Sequence, residues 1–506
     1  MKKTLVSAAL SAALLLGALA ASAAGGPRDA ETRAWWALTG ELSGDAMEGR
    51  DTGSAGYDRA ARLVAQKFAA AGLKPLGDDG TWMQAVPMDE IAVEQAVVSV
   101  GGRKLTFLYD FALAPTAAIP VALDAPLAYR GYCAAATLGD VHGKVVVCHG
   151  THRAGLPGAA ERLAAVKAAG AVALVTIADP GFAVEPPRWP YAYARSVVIS
   201  GAQTESDALA RIALNADALA QLIGPGRDAA ALIAAGSAGG ALPAFDVDDA
   251  FHARFKLKRR HLVSANVIGM LSGSDPALAD QAIVLSAHLD GYGHGTPIHG
   301  DGIYNGTLDD AAYVALLIRL AEQRNGAGLR RPLIFAAFTG EEKGLLGSEW
   351  FVAHPPVAKA HIAANLNLDQ LRPIFPLELL TVHALDDTTL GDDVRAVAGG
   401  MGIAVQADPE PERNLLRRAD QWNFMQAGIP ATAFVFGYRP GTDSERIYRQ
   451  WYRTGYHKPQ DDLDQLMDWK AAADFNRFFV ALVERVADAK DAPAWKTGSK
   501  LAPRAH

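Results

Sequence analysis

The chain has only two cysteines among its 506 residues, too few for a four-cysteine zinc site or a disulfide-dense scaffold. It has no basic excess. Lys and Arg number 48 against 55 Asp and Glu, a formal charge of −7 at pH 7, so nothing supports a nucleic-acid partner, which normally meets a basic face. It lacks a complete G-x-S-x-G elbow, which argues against a serine hydrolase of that kind. Beyond the first two dozen residues no segment reads as a transmembrane helix. Signs of disorder are missing too: 20% of residues are charged, 50% are apolar, and the 49 Gly and 27 Pro follow no collagen-like repeat. What remains is a large globular chain, long enough for two or three domains. Any metal in it must be held mainly by His and carboxylates.

At the N-terminus Lys2 and Lys3 precede an uncharged run from Leu5 to Ala20, then Ala21-Ser22-Ala23. A positive start, an apolar middle and small residues at the end make a secretory signal peptide over 1–23. The run falls short of a comfortable span of about 20 apolar residues. The expected product is periplasmic or secreted, with no membrane attachment after cleavage. Residues 491–506 read as a frayed tail.

The texture changes along the chain. Thr32 to Gly72 is largely helical, with apolar residues at Ala61, Val64, Ala65 and Phe68, and Gly72 placed to cap the C-terminus. A turn-rich DTGSAG stretch lies at 51–56. From about Pro115 to Leu242 the chain is rich in Ala and Val. Strand-like runs lie at Lys144–Cys148 and Ala171–Ile177, helical ones at Ala159–Ala169 and Ala216–Ile223, with almost no clustered His, Asp or Glu. Both cysteines, Cys133 and Cys148, fall here, and in an oxidising compartment they are expected to pair. From Ala282 onward apolar strands alternate with amphipathic helices, which points to an α/β sheet covered on both faces.

Chemistry collects at the ends of those later strands. After Ile283–Ala287 comes His288-Leu289-Asp290. Asp309-Asp310 opens the helix after a Gly-rich loop. Glu341-Glu342 follows Leu333–Phe338, Asp369 follows Ala364–Leu368, and His457 can return by the loop after Thr432–Phe436. In open α/β sheets ligands gather outside the carboxyl ends of strands. Singly, each motif has an ordinary explanation: a hydrogen-bonded loop histidine, an N-cap pair, acids in a first helical turn. Jointly, His288, Asp309, Glu342, Asp369 and His457 are five N/O ligands, a set suited to two divalent metals sharing one carboxylate. Glu341 is left over beside a ligand, where a general base is needed.

Five stretches carry a family resemblance: SAHLDGYG (Ser286–Gly293), GDGIYNGTLDDAA (Gly300–Ala312), FTGEEKGLLGSEWF (Phe338–Phe351), NLNLDQL (Asn365–Leu371) and YHKPQDD (Tyr456–Asp462). In order and spacing they resemble the M28 family of zinc aminopeptidases and carboxypeptidases, and EGRDTGSAGYDRAA resembles the family's opening. The resemblance implies a mixed central sheet with helices on both faces. It implies two Zn2+ ions: His288 and Asp369 on one, Glu342 and His457 on the other, Asp309 bridging. Glu341 is then the general base acting on a metal-bridged water. Asp290 is the carboxylate that orients the His288 ring, and Asp310 is not a ligand. GDVHGKVVVCHG (Gly139–Gly150) and AAGAVALVTIAD (Ala168–Asp179) resemble a protease-associated (PA) domain, β-rich and α+β. The implied organisation is a peptidase domain in two parts, 24–114 and 246–490, with the PA domain inserted at 115–245.

Two positions depart from the family pattern: Ala312-Tyr313 after the acidic pair, and Ala419-Asp420-Gln421 where SDH is frequent, so only Asp420 matches. The implied activity is removal of N-terminal residues from peptides. A carboxypeptidase or dipeptidase shares every ligand, and a binding protein on the same fold is a third possibility that usually loses ligands. Tyr438, Arg439 and Asp443, in the loop after a strand, are either pocket residues or ordinary solvated loop residues.

Overall fold

The computed structural model describes residues 26–502 apart from 152, 181–187, 203–208 and 370. The expected signal peptide, 1–23, lies outside the described residues.

The N-terminal helical stretch is two helices. Ala30–Ser43 starts where the Asp29 carboxylate accepts the Thr32 amide (2.8 Å), and Ala55–Ala70 where the Ser54 hydroxyl accepts that of Tyr57 (3.1 Å). Such caps satisfy amides that the first turn leaves without partners. The second helix ends at Gly72, whose φ of 80° suits a residue without Cβ.

Among the described residues one mixed sheet of 16 strands organises the fold. Its central four strands run parallel: Leu333–Phe338, Ala282–His288, Ile362–Asn367 and Ala431–Phe436. Every residue of the first two is buried, so each strand is a continuous apolar run with its two faces in different cores. Ile283, Leu285 and Ala287 pack with the helices Ala30–Ser43, Ala55–Ala70, Ala312–Arg324 and Trp469–Asp488. Ala282 and Val284 pack with Phe351, Phe424 and Met425 of the helices on the other side. This is the expected mixed α/β sheet, covered on both faces.

Two very long strands, Met83–Val100 and Phe245–Leu271, have no counterpart in the sequence expectations. They pair antiparallel over most of their lengths. Phe245–Leu271 pairs at one end with Leu333–Phe338 of the parallel group and at the other with Ala122–Tyr129. The sheet then continues through Val145–His149, Ala173–Ile177, Ala210–Leu214 and Phe111–Ala114. This half has its own core around Leu127, Val145, Val147, Val175 and Phe251. Cys133 and Cys148 form a buried disulfide there, Cα atoms 5.5 Å apart. Among the described residues no helix is long and apolar enough to cross a membrane.

Candidate metal centre

Strand register brings the acids and histidines together. His288 ends its strand opposite Phe338, so Glu341 and Glu342 follow three and four residues beyond that level. Asn367 lies opposite Ser286, so Asp369 falls level with His288. Asp309 sits in a wide helical turn, Thr307–Ala311, just before the helix Ala312–Arg324, and its peptide bond to Asp310 is cis. His457 arrives from the loop after the helix Asp443–Thr454.

Asp309 lies between the two histidines. One carboxylate oxygen is 3.4 Å from His288 Nε2 and the other 3.7 Å from His457 Nε2. His457 Nε2 is also 3.7 Å from Glu342, and His288 Nε2 is 4.0 Å from Asp369. Thus all five expected ligand residues converge. Ligand atoms of His288, Asp309 and Glu342 lie within 4.8 Å of one another, as do those of His288, Asp310 and Asp369. Asp310 therefore stands closer to the cluster than the sequence suggested. One of its oxygens is engaged by the His288 backbone amide (3.1 Å).

The cluster is built for cations. Asp309, Asp310, Glu341 and Asp369 are buried and Glu342 is partly so, and Arg372 stands 3.2 Å from Asp309. Burial pushes the Glu342 carboxyl up to about 7, with Asp309 adding to the rise, and carries Glu341 and Asp310 well above the carboxylate range. Asp309 goes the other way. Burial would raise it, but Arg372 and the two imidazoles hold it low. Burial would likewise strip the proton from His288, yet Glu341 and Asp309 hold that proton well past the usual imidazole range. A divalent cation answers the same field with neutral imidazoles. Oε1 of Glu342 is buried without a hydrogen bond. The donor set of two imidazoles and several carboxylates fits zinc.

Asp290 is fully buried, and its contacts differ from the expectation. The His288 ring donates from Nδ1 to the Asp290 backbone carbonyl (3.1 Å), while the carboxylate is 3.8 Å away. That carboxylate instead accepts the amides of Glu341 (3.1 Å) and Glu342 (3.3 Å) and the Thr52 hydroxyl (2.9 Å).

Other supports were not evident from the sequence. Buried Arg50 donates to the carbonyls of Leu42, Leu289, Asn305 and Gly306, tying the loops that carry Asp290 and Asp309. Asp461 accepts the Leu308 amide (2.9 Å). Arg372 lies over the Trp451 ring and donates to the Leu308 and Leu371 carbonyls. Tyr193, from the middle of the chain, meets His457 Nδ1 at 2.9 Å, and Tyr292 meets Nε2 at 3.3 Å. Tyr313 turns inward, edge-on to Phe475, and leaves the site uncrowded. Asp420 accepts the Ser348 hydroxyl beneath the cluster. Tyr438 donates to Glu410 (2.6 Å) and lines a small separate hollow. Arg439 is exposed, and Asp443 starts a helix and pairs with Arg446. Neither Arg439 nor Asp443 lines the cleft beside the metal cluster.

Residues 266–483 match the model of peptidase family M28. This segment belongs to peptidase family M28. The M28 segment contains all the residues of the cluster. A probable zinc metalloprotease of Pyrenophora teres f. teres is 26% identical over 245 residues, 45% of this chain and 49% of that protein. Leupeptin-inactivating enzyme 1 of Streptomyces exfoliatus is 28% identical over 214 residues, 40% and 44% of the two chains. The matches thus span about half or less of these relatives' length. Two solved structures cover far more. A zinc aminopeptidase from Bacillus subtilis superposes with a TM-score of 0.61 at 19% identity, over 91% of this chain and 96% of its own. An aminopeptidase from Aneurinibacillus sp. strain AM-1 does so with a TM-score of 0.58 at 19% identity, over 94% and 97%.

Proposed function

We propose that this M28 protein is a periplasmic or secreted aminopeptidase that uses two zinc ions to hydrolyse the N-terminal peptide bond of its substrates. The observation that carries this is the Asp309 carboxylate lying between His288 and His457, 3.4 and 3.7 Å from their Nε2 atoms. His288 and Asp369 would hold one ion, Glu342 and His457 the other, and Asp309 would bridge. Bound zinc supplies Lewis acidity and lowers the pKa of water toward about 7. Glu341 is the base in this proposal. It sits 8% exposed at the cluster, takes a proton from the attacking water and passes it to the leaving amine. Asp290 holds the turn that aims Glu341. The aminopeptidase neighbours in fold favour this choice over a carboxypeptidase or dipeptidase, and the N-terminal leader favours export. Residues 115–245 would be a PA domain inserted into the peptidase.

Purified protein should cleave aminoacyl-nitroanilides and not N-blocked peptides. A chelator should abolish turnover and zinc restore it. Glu341→Gln should retain zinc and lose about 10²-fold or more in kcat. Chelator-insensitive turnover refutes the metallopeptidase assignment, and a loss under about tenfold refutes the base.

A further inference from the structure

Beside the metal cluster a cleft of about 370 Å³ opens toward the middle of the chain. Glu342 and Tyr292 form its inner wall, and Ala114, Pro115 and Arg211 belong to the middle-chain side. Among the described residues its charged lining is three cations, Arg195, Arg211 and Lys343, against one carboxylate, the metal-cluster residue Glu342. The rest of the lining is the rings of Tyr193 and Tyr292 and small or medium residues such as Pro115 and Val197.

Two of the cations are fixed in place. Arg195 bonds to the carboxylates of Asp51 and Glu90 and to the Thr52 carbonyl. Lys343 is 3.2 Å from Asp51 and donates to the Ala192 carbonyl (3.2 Å). Arg260 also holds Glu90, at 2.7 Å. Asp51 and Glu90 are absent from the cleft lining, so these anions anchor the cations from outside it. Arg211 sits on the strand Ala210–Leu214, level with Ala114. Neither Arg195 nor Arg211 lies in the M28 segment, 266–483.

We infer that this cleft is a substrate subsite for a carboxylate. Building on the proposed peptidase activity, a peptide whose scissile carbonyl meets the metal cluster can extend an adjacent group along Tyr292 to the three cations. An ammonium or guanidinium there meets like charges held rigidly, whereas a carboxylate meets partners already oriented. The carboxylate has two possible sources: an acidic side chain next to the scissile bond, or the free α-carboxylate of a dipeptide.

The test compares matched substrates. Glu against Gln at the first position and at the second probes the side chain. A dipeptide against its C-terminal amide probes the α-carboxylate. The wild type should prefer the charged member of at least one pair by about fivefold or more in kcat/KM, and added salt should shrink the preference. Arg211→Gln should cut that preference by about threefold or more, chiefly through KM. Arg211→Glu should turn the preference toward Lys over Gln in the same position. Cleavage of the neutral members with no pair differing by about fivefold overturns the subsite and leaves the peptidase assignment standing. If nothing is cleaved, calorimetric titration of glutamate against glutamine, and of glycylglycine against its amide, decides the subsite without turnover. Equal binding within each pair, or a preference untouched in Arg211→Gln, overturns it.

Discussion

Asp290→Asn separates two ways in which one buried carboxylate can serve the site. If it worked mainly on the His288 ring, its loss would weaken metal binding, by about 10–100-fold for such partners. The contacts point elsewhere. The His288 ring is held by the Asp290 backbone carbonyl at 3.1 Å, which the substitution retains. The carboxylate accepts three hydrogen bonds, two of them from the amides of Glu341 and Glu342. Asparagine has the same shape but offers one acceptor oxygen in place of two. With its amide group facing Glu341, it loses a charged hydrogen bond of about 1.5–3 kcal/mol and leaves a buried N–H unmet at about 1–3 kcal/mol. Taking about 3 kcal/mol in all, and about 1.36 kcal/mol per tenfold, kcat should fall about 10²-fold as the Glu341 turn loses its hold. The assay is kcat at saturating zinc beside zinc affinity by chelator competition. Zinc affinity should stay within about threefold. A drop in affinity beyond about tenfold, with kcat at saturating zinc nearly unchanged, refutes the reasoning and returns the carboxylate to the ring.

Glu90 gives a pH signature remote from the cluster. Burial would raise its carboxyl, but Arg260 and Arg195 hold it below the usual range. Its contribution is therefore complete above the ordinary carboxylate pKa of about 4.3 and is lost as pH falls through the lower folded value. Glu90→Gln should cost about 3 kcal/mol at pH 7 by urea unfolding, and the gap to wild type should close toward low pH. A gap that persists unchanged into strong acid rejects the ion-pair account. The disulfide offers a simpler test. Replacing Cys133 and Cys148 together by alanine removes a crosslink over a sequence separation of 15. It should cost about 3 kcal/mol, and a loss under about 1 kcal/mol counts against a structural role.

The parts visible in the sequence share a physical reason. Strands buried on both faces are unbroken apolar runs, so Leu333–Phe338 and Ala431–Phe436 end where the sequence puts them. Acids and histidines just beyond such runs stand out against them. The long strand Phe245–Leu271 was hidden for the opposite reason. Its first half alternates exposed residues with buried or half-buried ones, so it shows no unbroken apolar run, and its partner lies more than a hundred residues away. Arg50 and Arg372 were hidden because a buried guanidinium looks like any surface arginine until the carbonyls around it are known. The loop after Ala431–Phe436 suggested Tyr438 as a pocket residue, yet an ionic neighbourhood of Glu410 and Arg449, from elsewhere in the sequence, turns the phenol away.

Tyr193 shows how the middle of the chain enters the chemistry. Its hydroxyl reaches His457 across 264 positions of sequence. His457 Nε2 faces Asp309 and Glu342, so with a metal on Nε2, as proposed, Nδ1 would carry the proton. Nδ1 then donates to the Tyr193 oxygen, which fixes the ring's tautomer and its angle, while Tyr456 stacks on the ring with centroids 3.5 Å apart. Tyr193→Phe removes the acceptor and keeps the aromatic bulk. Zinc affinity should fall about tenfold, the lower end of the range for such partners, while kcat at saturating zinc changes less. Competition with a chelator at fixed pH measures this directly. An unchanged affinity would mean that the ring is held by packing against Tyr456 and Tyr292 alone, and that the middle segment shapes the cleft without tuning the metal.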